Sequence, residues 1–211
     1  MKKISLLIAL ALILTIVGCG KKAEEAKQAF DVLKDLPKKA EQMQQNVDLA
    51  EKKKQERRQR GDTLSMNYKK LQEFLPKSVD GFGDAKLGGE SMNMGGFSMS
   101  SAKADYEKAD GSGSVHIELV DYNENYGLYA GLSFWMQGYS MENDQRYERT
   151  FNTGIENTWG LEKFEKHNGQ AELIYALSWR FMLTLRGEGQ KDTEFLKAIA
   201  KKMDLAGLAK M

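Results

Sequence analysis

Hydrophobic positions along the chain follow two rhythms that change over near residue 60. From Lys22 to about Arg60 glycine is absent, and apolar residues recur at Ala26, Ala29, Leu33, Leu36, Ala40, Met43, Val47 and Ala50. The steps alternate between three and four, the a/d pattern of a heptad helix. The seam is shallow, because half of these positions are alanine, although Phe30 adds bulk beside it. Pro37 interrupts the pattern, where it removes a backbone hydrogen bond and kinks or breaks a helix. Two readings stand. One is a stalk that pairs with a partner helix as a coiled coil; the other is a surface helix, whole or in two pieces, folded onto its own domain.

The second rhythm begins after Gly61, which is placed to end that helix. Asp62 or Thr63 is expected to cap a following helix whose face carries Leu64, Tyr68, Leu71 and Leu75, closed by Pro76. Beyond Pro76 the texture turns to β segments, with turns expected at Gly81, Gly83, Gly88, Gly89, Gly95 and Gly96. Phe97 to Glu107 alternates, and Ser114 to Tyr122 alternates more clearly, with Val115, Ile117, Leu119 and Asp121 on one face. Asp110-Gly111-Ser112-Gly113 joins the two as a hairpin. Tyr126 to Tyr139 fits a buried helix. Strands are then expected over Gln145 to Asn152, Thr158 to Glu165, Gln170 to Leu177 and Trp179 to Gly187, with a hairpin turn at His167-Asn168-Gly169. Asp192 or Thr193 caps a closing helix with the stripe Phe195, Leu196, Ile199, Ala200 and Met203. The expected fold class is α+β: an N-terminal helical extension, then over residues 61–211 a mainly antiparallel sheet packed with two or three helices.

The first residues follow neither rhythm. Lys2 and Lys3 precede an uncharged apolar run from Ile4 to Val17, then Gly18 and Cys19, the one cysteine of the chain. This is the layout of a secretory signal peptide over residues 1–18, and the run is too short for the ~20 residues that cross a bilayer. Ile16-Val17-Gly18-Cys19 resembles the lipobox of bacterial lipoproteins. That resemblance implies acylation of the Cys19 thiol, removal of the leader and a membrane partner reached through the N-terminal lipid. Residues 19–60 are then the anchor and charged stalk. Gly20 is not a retention aspartate, which favours the outer membrane, facing the periplasm, in an envelope that has two. Two or more acyl chains, at ~0.8 kcal/mol per buried methylene, hold a protein firmly.

Charge narrows the partners. Removing Lys2 and Lys3 leaves 29 basic against 30 acidic side chains, which excludes a dedicated nucleic-acid binder. A protein partner through the helical stalk stays open. Glu51 to Arg60 is locally basic; it reads as a solvated helix end or as a contact for anionic lipid headgroups.

Candidate chemistry is sparse. His116 lies on the face of its strand opposite Val115 and Ile117, and His167 lies in a turn; neither has the companions of a zinc site. Asp121-Tyr122-Asn123-Glu124-Asn125 opens like a calcium loop. Tyr126 and Leu132 then stand where the EF-hand needs glycine and glutamate, so a loop with Asn125 as a helix cap is the better reading. Met92, Met94 and Met99 offer thioethers of the kind that hold Cu(I), or else fill a core or a flexible surface. No GxSxG, phosphate-cradling loop or HExxH occurs, so no catalytic residue, resident metal or cofactor is assigned. The candidate ligand cleft is aromatic: Trp135, Tyr139, Trp159, Tyr175 and Trp179.

From Leu75 to Met203 the element order, with Leu75-Pro76 and Asp80-Gly81-Phe82, resembles small α/β sandwich domains of the PsbP and Mog1 type and several lipoproteins of unassigned role. Those are mostly noncatalytic assembly or binding factors. The reading at this level is therefore a noncatalytic, membrane-anchored binding or interaction module. A small-ligand carrier or enzyme using the aromatic cleft, and a structural spacer, are the alternatives.

Overall fold

In a computed structural model, residues 41, 44–125, 129 and 138–211 are described. The heptad positions up to Met43, the lipobox, Trp135 and most of the helix expected over Tyr126 to Tyr139 lie outside them. The chain divides into two units at Leu49–Ala50. In the first, residues 44–49 are helical. The second, Ala50–Met211, opens with helix α1 over residues 50–59. Part of the run assigned to the stalk therefore belongs to the same unit as the sheet.

A Schellman motif closes α1: Asp62 N–H donates to Arg57 O at 2.9 Å and Gly61 N–H to Arg58 O at 3.0 Å, with Gly61 left-handed at φ +75°. The next helix, α2, is only Tyr68–Gln72, and its cap is Asn67, whose side chain accepts from Lys69 N–H. Asp62 and Thr63 do not cap it, and Leu64 is exposed. The period-four reading ran one turn too far toward the N-terminus, because Asp62 is engaged by arginines instead.

Eight strands follow: β1 Lys86–Met94, β2 Phe97–Glu107, β3 Ser114–Asp121, β4 Ser140–Glu142, β5 Arg146–Phe151, β6 Thr158–Glu165, β7 Gln170–Leu177 and β8 Phe181–Gly187. They form one sheet in the order β1-β2-β3-β8-β7-β6-β5-β4, with every neighbouring pair antiparallel. The domain is thus mixed α+β. Strand β1 contradicts the turns expected at Gly88 and Gly89. Both are in the ladder, opposite Lys103 and Ala102. At position 89 glycine is needed for approach: a Cβ on Gly89 would stand 2.8 Å from the Tyr68 ring and 2.7 Å from Ser101 O. By contrast Gly95 and Gly96, both left-handed, do form the β1–β2 turn.

Helices α3 (Glu194–Lys201) and α4 (Leu205–Ala209) follow β8. Alternation along the strands sends Val115, Ile117 and Leu119 of β3, Leu173, Tyr175 and Leu177 of β7, and Phe181, Leu183 and Leu185 of β8 to one face. There they meet Leu71 of α2, Leu196 and Ile199 of α3, and Leu205 and Leu208 of α4. A second, smaller cluster on the other face joins Ala50, Tyr129, Leu161, Ala176, Trp179 and Met182. Among the described residues no helix is long and apolar enough to cross a membrane.

Candidate functional site

The basic run of α1 is not simply a solvated helix end. Arg57 is buried, at 5% exposure, and its Nε donates to Asp62 Oδ2 at 3.0 Å. Its other nitrogens donate to the backbone carbonyl and side-chain oxygen of Asn123. Arg180, also 5% exposed, donates to Asp62 Oδ2 at 2.9 Å and grips Asp121 through two bonds of 2.9 and 2.7 Å. Asp121 is fully buried, and it also accepts from the backbone N–H groups of Met66 and Asn123, each at 2.7 Å. Two arginines and two aspartates thus cancel in charge while tying α1, the β3 end and the β8 start together. Burial pushes the Asp62 carboxyl up, but hydrogen bonds and charge from Arg57 and Arg180 outweigh it and hold that carboxyl below its usual range. The calcium-loop resemblance of Asp121 to Asn125 dissolves in this network, since Asp121 is turned inward onto Arg180. Among the described residues no group of three or more His, Cys, Asp or Glu is placed to hold a metal.

Above this network lies a cavity of about 380 Å³. Its walls are α1, the Asn123–Glu124 turn, the 154–157 loop between β5 and β6, the β7–β8 turn at Ser178 to Arg180, and α4. Among the described residues, four that are not glycine have left-handed backbone: Asn123 (φ 52°), Asn157 (φ 53°), Ser178 (φ 47°) and Trp179 (φ 58°). All four line this cavity. Asparagine tolerates this region, but serine and tryptophan adopt it at a cost of order 1–3 kcal/mol each. Ser178 and Trp179 are the middle of a turn closed by Arg180 N–H to Leu177 O at 3.0 Å, a place where Asn-Gly is favoured. The strand expected from Trp179 therefore starts later, at Phe181.

The turn is held from both sides. Ser178 N–H donates to Asn157 O at 2.8 Å, and Ser178 Oγ donates to Ala209 O at 2.5 Å. Trp179 is buried at 6% exposure and packs edge-on against Trp159, with ring centroids 5.6 Å apart. Its Nε1 is buried with no acceptor among the described residues.

The aromatic cleft is brought together only in part. Trp159, Trp179 and Tyr139 share the smaller cluster, and Trp135 lies outside the described residues. Tyr175 is on the opposite face of the sheet, buried in the main core and edge-on to Phe151 at 5.4 Å. Strand parity is the reason: Tyr175 points with Leu173 and Leu177, while Ile174 and Ala176 point toward the tryptophans. Burial pushes its hydroxyl up to about 12. Arg57, Asp121, Asn123 and Arg180 were missed as site residues. The signals in the sequence were Asp121, a carboxylate on the otherwise apolar face of β3, and the unusual pair Ser178-Trp179 where a hairpin turn belongs. No known protein family, curated protein or solved structure matches this chain.

Proposed function

We propose that this chain is a noncatalytic, membrane-anchored envelope lipoprotein whose sheet domain is a binding module, with the cavity beside Trp179 as its ligand site. The observation that carries the binding reading is the convergence of all four left-handed non-glycine residues of the described chain on one cavity. Strained backbone persists only where surrounding structure holds it, and it concentrates at ligand sites. The walls suit an occupant with an apolar body and a polar end. Trp179, Ile155 and Ala206 offer apolar surface, and Lys53, Lys54, Arg60 and Lys210 stand among Glu51, Glu56 and Glu156 at the charged rim. The anchor rests on the Lys2-Lys3 start, the apolar run and Cys19. The helical segment before Ala50 would act as the spacer or partner helix.

Native mass spectrometry of the full chain, extracted from membranes, tests both halves against Cys19→Ser and Trp179→Leu. The expected wild type carries an acyl mass and a retained small ligand. Cys19→Ser loses the acyl mass, keeps the leader and still retains the ligand, whereas Trp179→Leu keeps the acyl mass and loses the ligand. A wild type with no bound mass after gentle extraction overturns the binding reading. An unacylated wild type with the leader attached overturns the anchor.

A further inference from the structure

The three methionines near the β1–β2 turn do not fill a core. Met92 is 45% and Met94 72% exposed, and Met99 is half-buried. Met92 and Met94 are two residues apart on β1, so they share a face. Met99 stands directly opposite Met92 across the antiparallel ladder, on that same face. Opposed Cβ atoms in such a pair are ~5 Å apart, and the i, i+2 spacing along a strand is ~7 Å. Three long, flexible thioether side chains therefore rise from one small triangle. The two-residue turn Gly95-Gly96 sets that register, with Met94 paired to Phe97 immediately beneath it. The main hydrophobic core is on the other face of this hairpin, where Ala102, Ala104 and Tyr106 are buried.

We propose that Met92, Met94 and Met99 form a thioether site for a soft monovalent metal ion, Cu(I). Thioethers are soft donors that select Cu(I) over the hard and borderline divalent ions. Three of them on one face supply a trigonal donor set without a thiolate. The half-buried Phe97 beside Met94 shields one side from water. Glu90 is the next residue of β1 on this face, opposite Ser101, and its hard carboxylate adds nothing for a soft ion. Binding is a ligation with no redox step, so the ion enters and leaves as Cu(I).

The test uses the full chain in a Cys19→Ser background, because any Cys19 left unacylated would present a thiolate that outcompetes thioethers. With methyl-labelled methionine, Ag(I) serves as a redox-inert stand-in for Cu(I), followed by Cu(I) itself under a competing chelator. Three methyl resonances, assigned by Met92→Leu, Met94→Leu and Met99→Leu, are expected to shift together and saturate at one equivalent. Met211, an exposed lone thioether, should stay unmoved at that point. Each single leucine should weaken the Cu(I) affinity at least tenfold, and the triple variant should abolish it, with methyl and amide spectra showing an intact fold. Zn(II) should shift none of the three. The proposal is overturned if the three resonances stay in place at one equivalent, or if Met211 titrates with them. It is equally overturned if the folded triple variant binds as the parent does.

Discussion

Asp121→Asn is the sharpest perturbation of the network beneath the cavity. All four hydrogen bonds to the Asp121 carboxylate come from donors: Arg180 Nε, Arg180 Nη2 and the backbone N–H groups of Met66 and Asn123. An asparagine keeps the shape, yet turns an NH2 group toward one pair of those donors. It also leaves Arg180 buried with only Asp62, which is itself shared with Arg57. Removing one partner of a buried pair costs about 3–5 kcal/mol, because an uncompensated charge remains. Asp62 softens this, so the loss should fall at about 3 kcal/mol, near the bottom of that range. A chain of this size moves its thermal midpoint by roughly 2–4 °C per kcal/mol, so the midpoint should drop by roughly 6–12 °C. The assay is thermal and urea denaturation of the full chain, run as a double-mutant cycle with Arg180→Met. The double variant removes both charges and should be more stable than Asp121→Asn alone. A loss below about 1 kcal/mol for Asp121→Asn, the size of an exposed ion pair, would refute the reasoning.

Other outcomes follow from the same geometry. Gly89→Ala should destabilise by about 1–3 kcal/mol through its clash with the Tyr68 ring and Ser101 O, measured by urea midpoint, whereas Gly88→Ala beside it should be nearly neutral. Leu183→Ala, at the buried centre of β8, should cost about 2–5 kcal/mol by the same measure. Acid should destabilise the domain. At Glu162 burial pushes the carboxyl up, but hydrogen bonds from Lys197, Thr193 and Arg149 outweigh it, so its folded value, like that of Asp62, lies below the unfolded one. In that case stability is fully present above the unfolded carboxylate range of about 4 and is lost as pH falls through the folded values. A midpoint that holds level from pH 5 to 2.5 would contradict this, and Glu162→Gln should flatten part of the slope.

Local pattern determined a good deal of this protein. Alternation places Val115, Ile117, Leu119 and Asp121 on the core face, and the structure has them there. Turn residues set the hairpins at Gly95-Gly96, residues 110–113 and residues 167–169, because Gly95, Gly96, Gly111 and Gly169 take left-handed backbone angles that other residues resist. Gly61 stops α1 for the same reason. Those are short-range effects, carried by neighbours in the chain. Tertiary structure decided the rest. β1 is invisible to its own sequence, because Gly89 answers to Tyr68 from another element rather than to a turn. Arg57 looks like one more cation in a basic run until Asn123, 66 positions further on, accepts from it and Arg180, from the start of β8, joins it on Asp62. Tyr175 resembles its aromatic companions in composition, and only strand parity across the sheet sends it to the other face. Ser178 and Trp179 hold left-handed backbone because α4 and the 154–157 loop bind the turn from outside, a constraint that exists only once distant segments have packed.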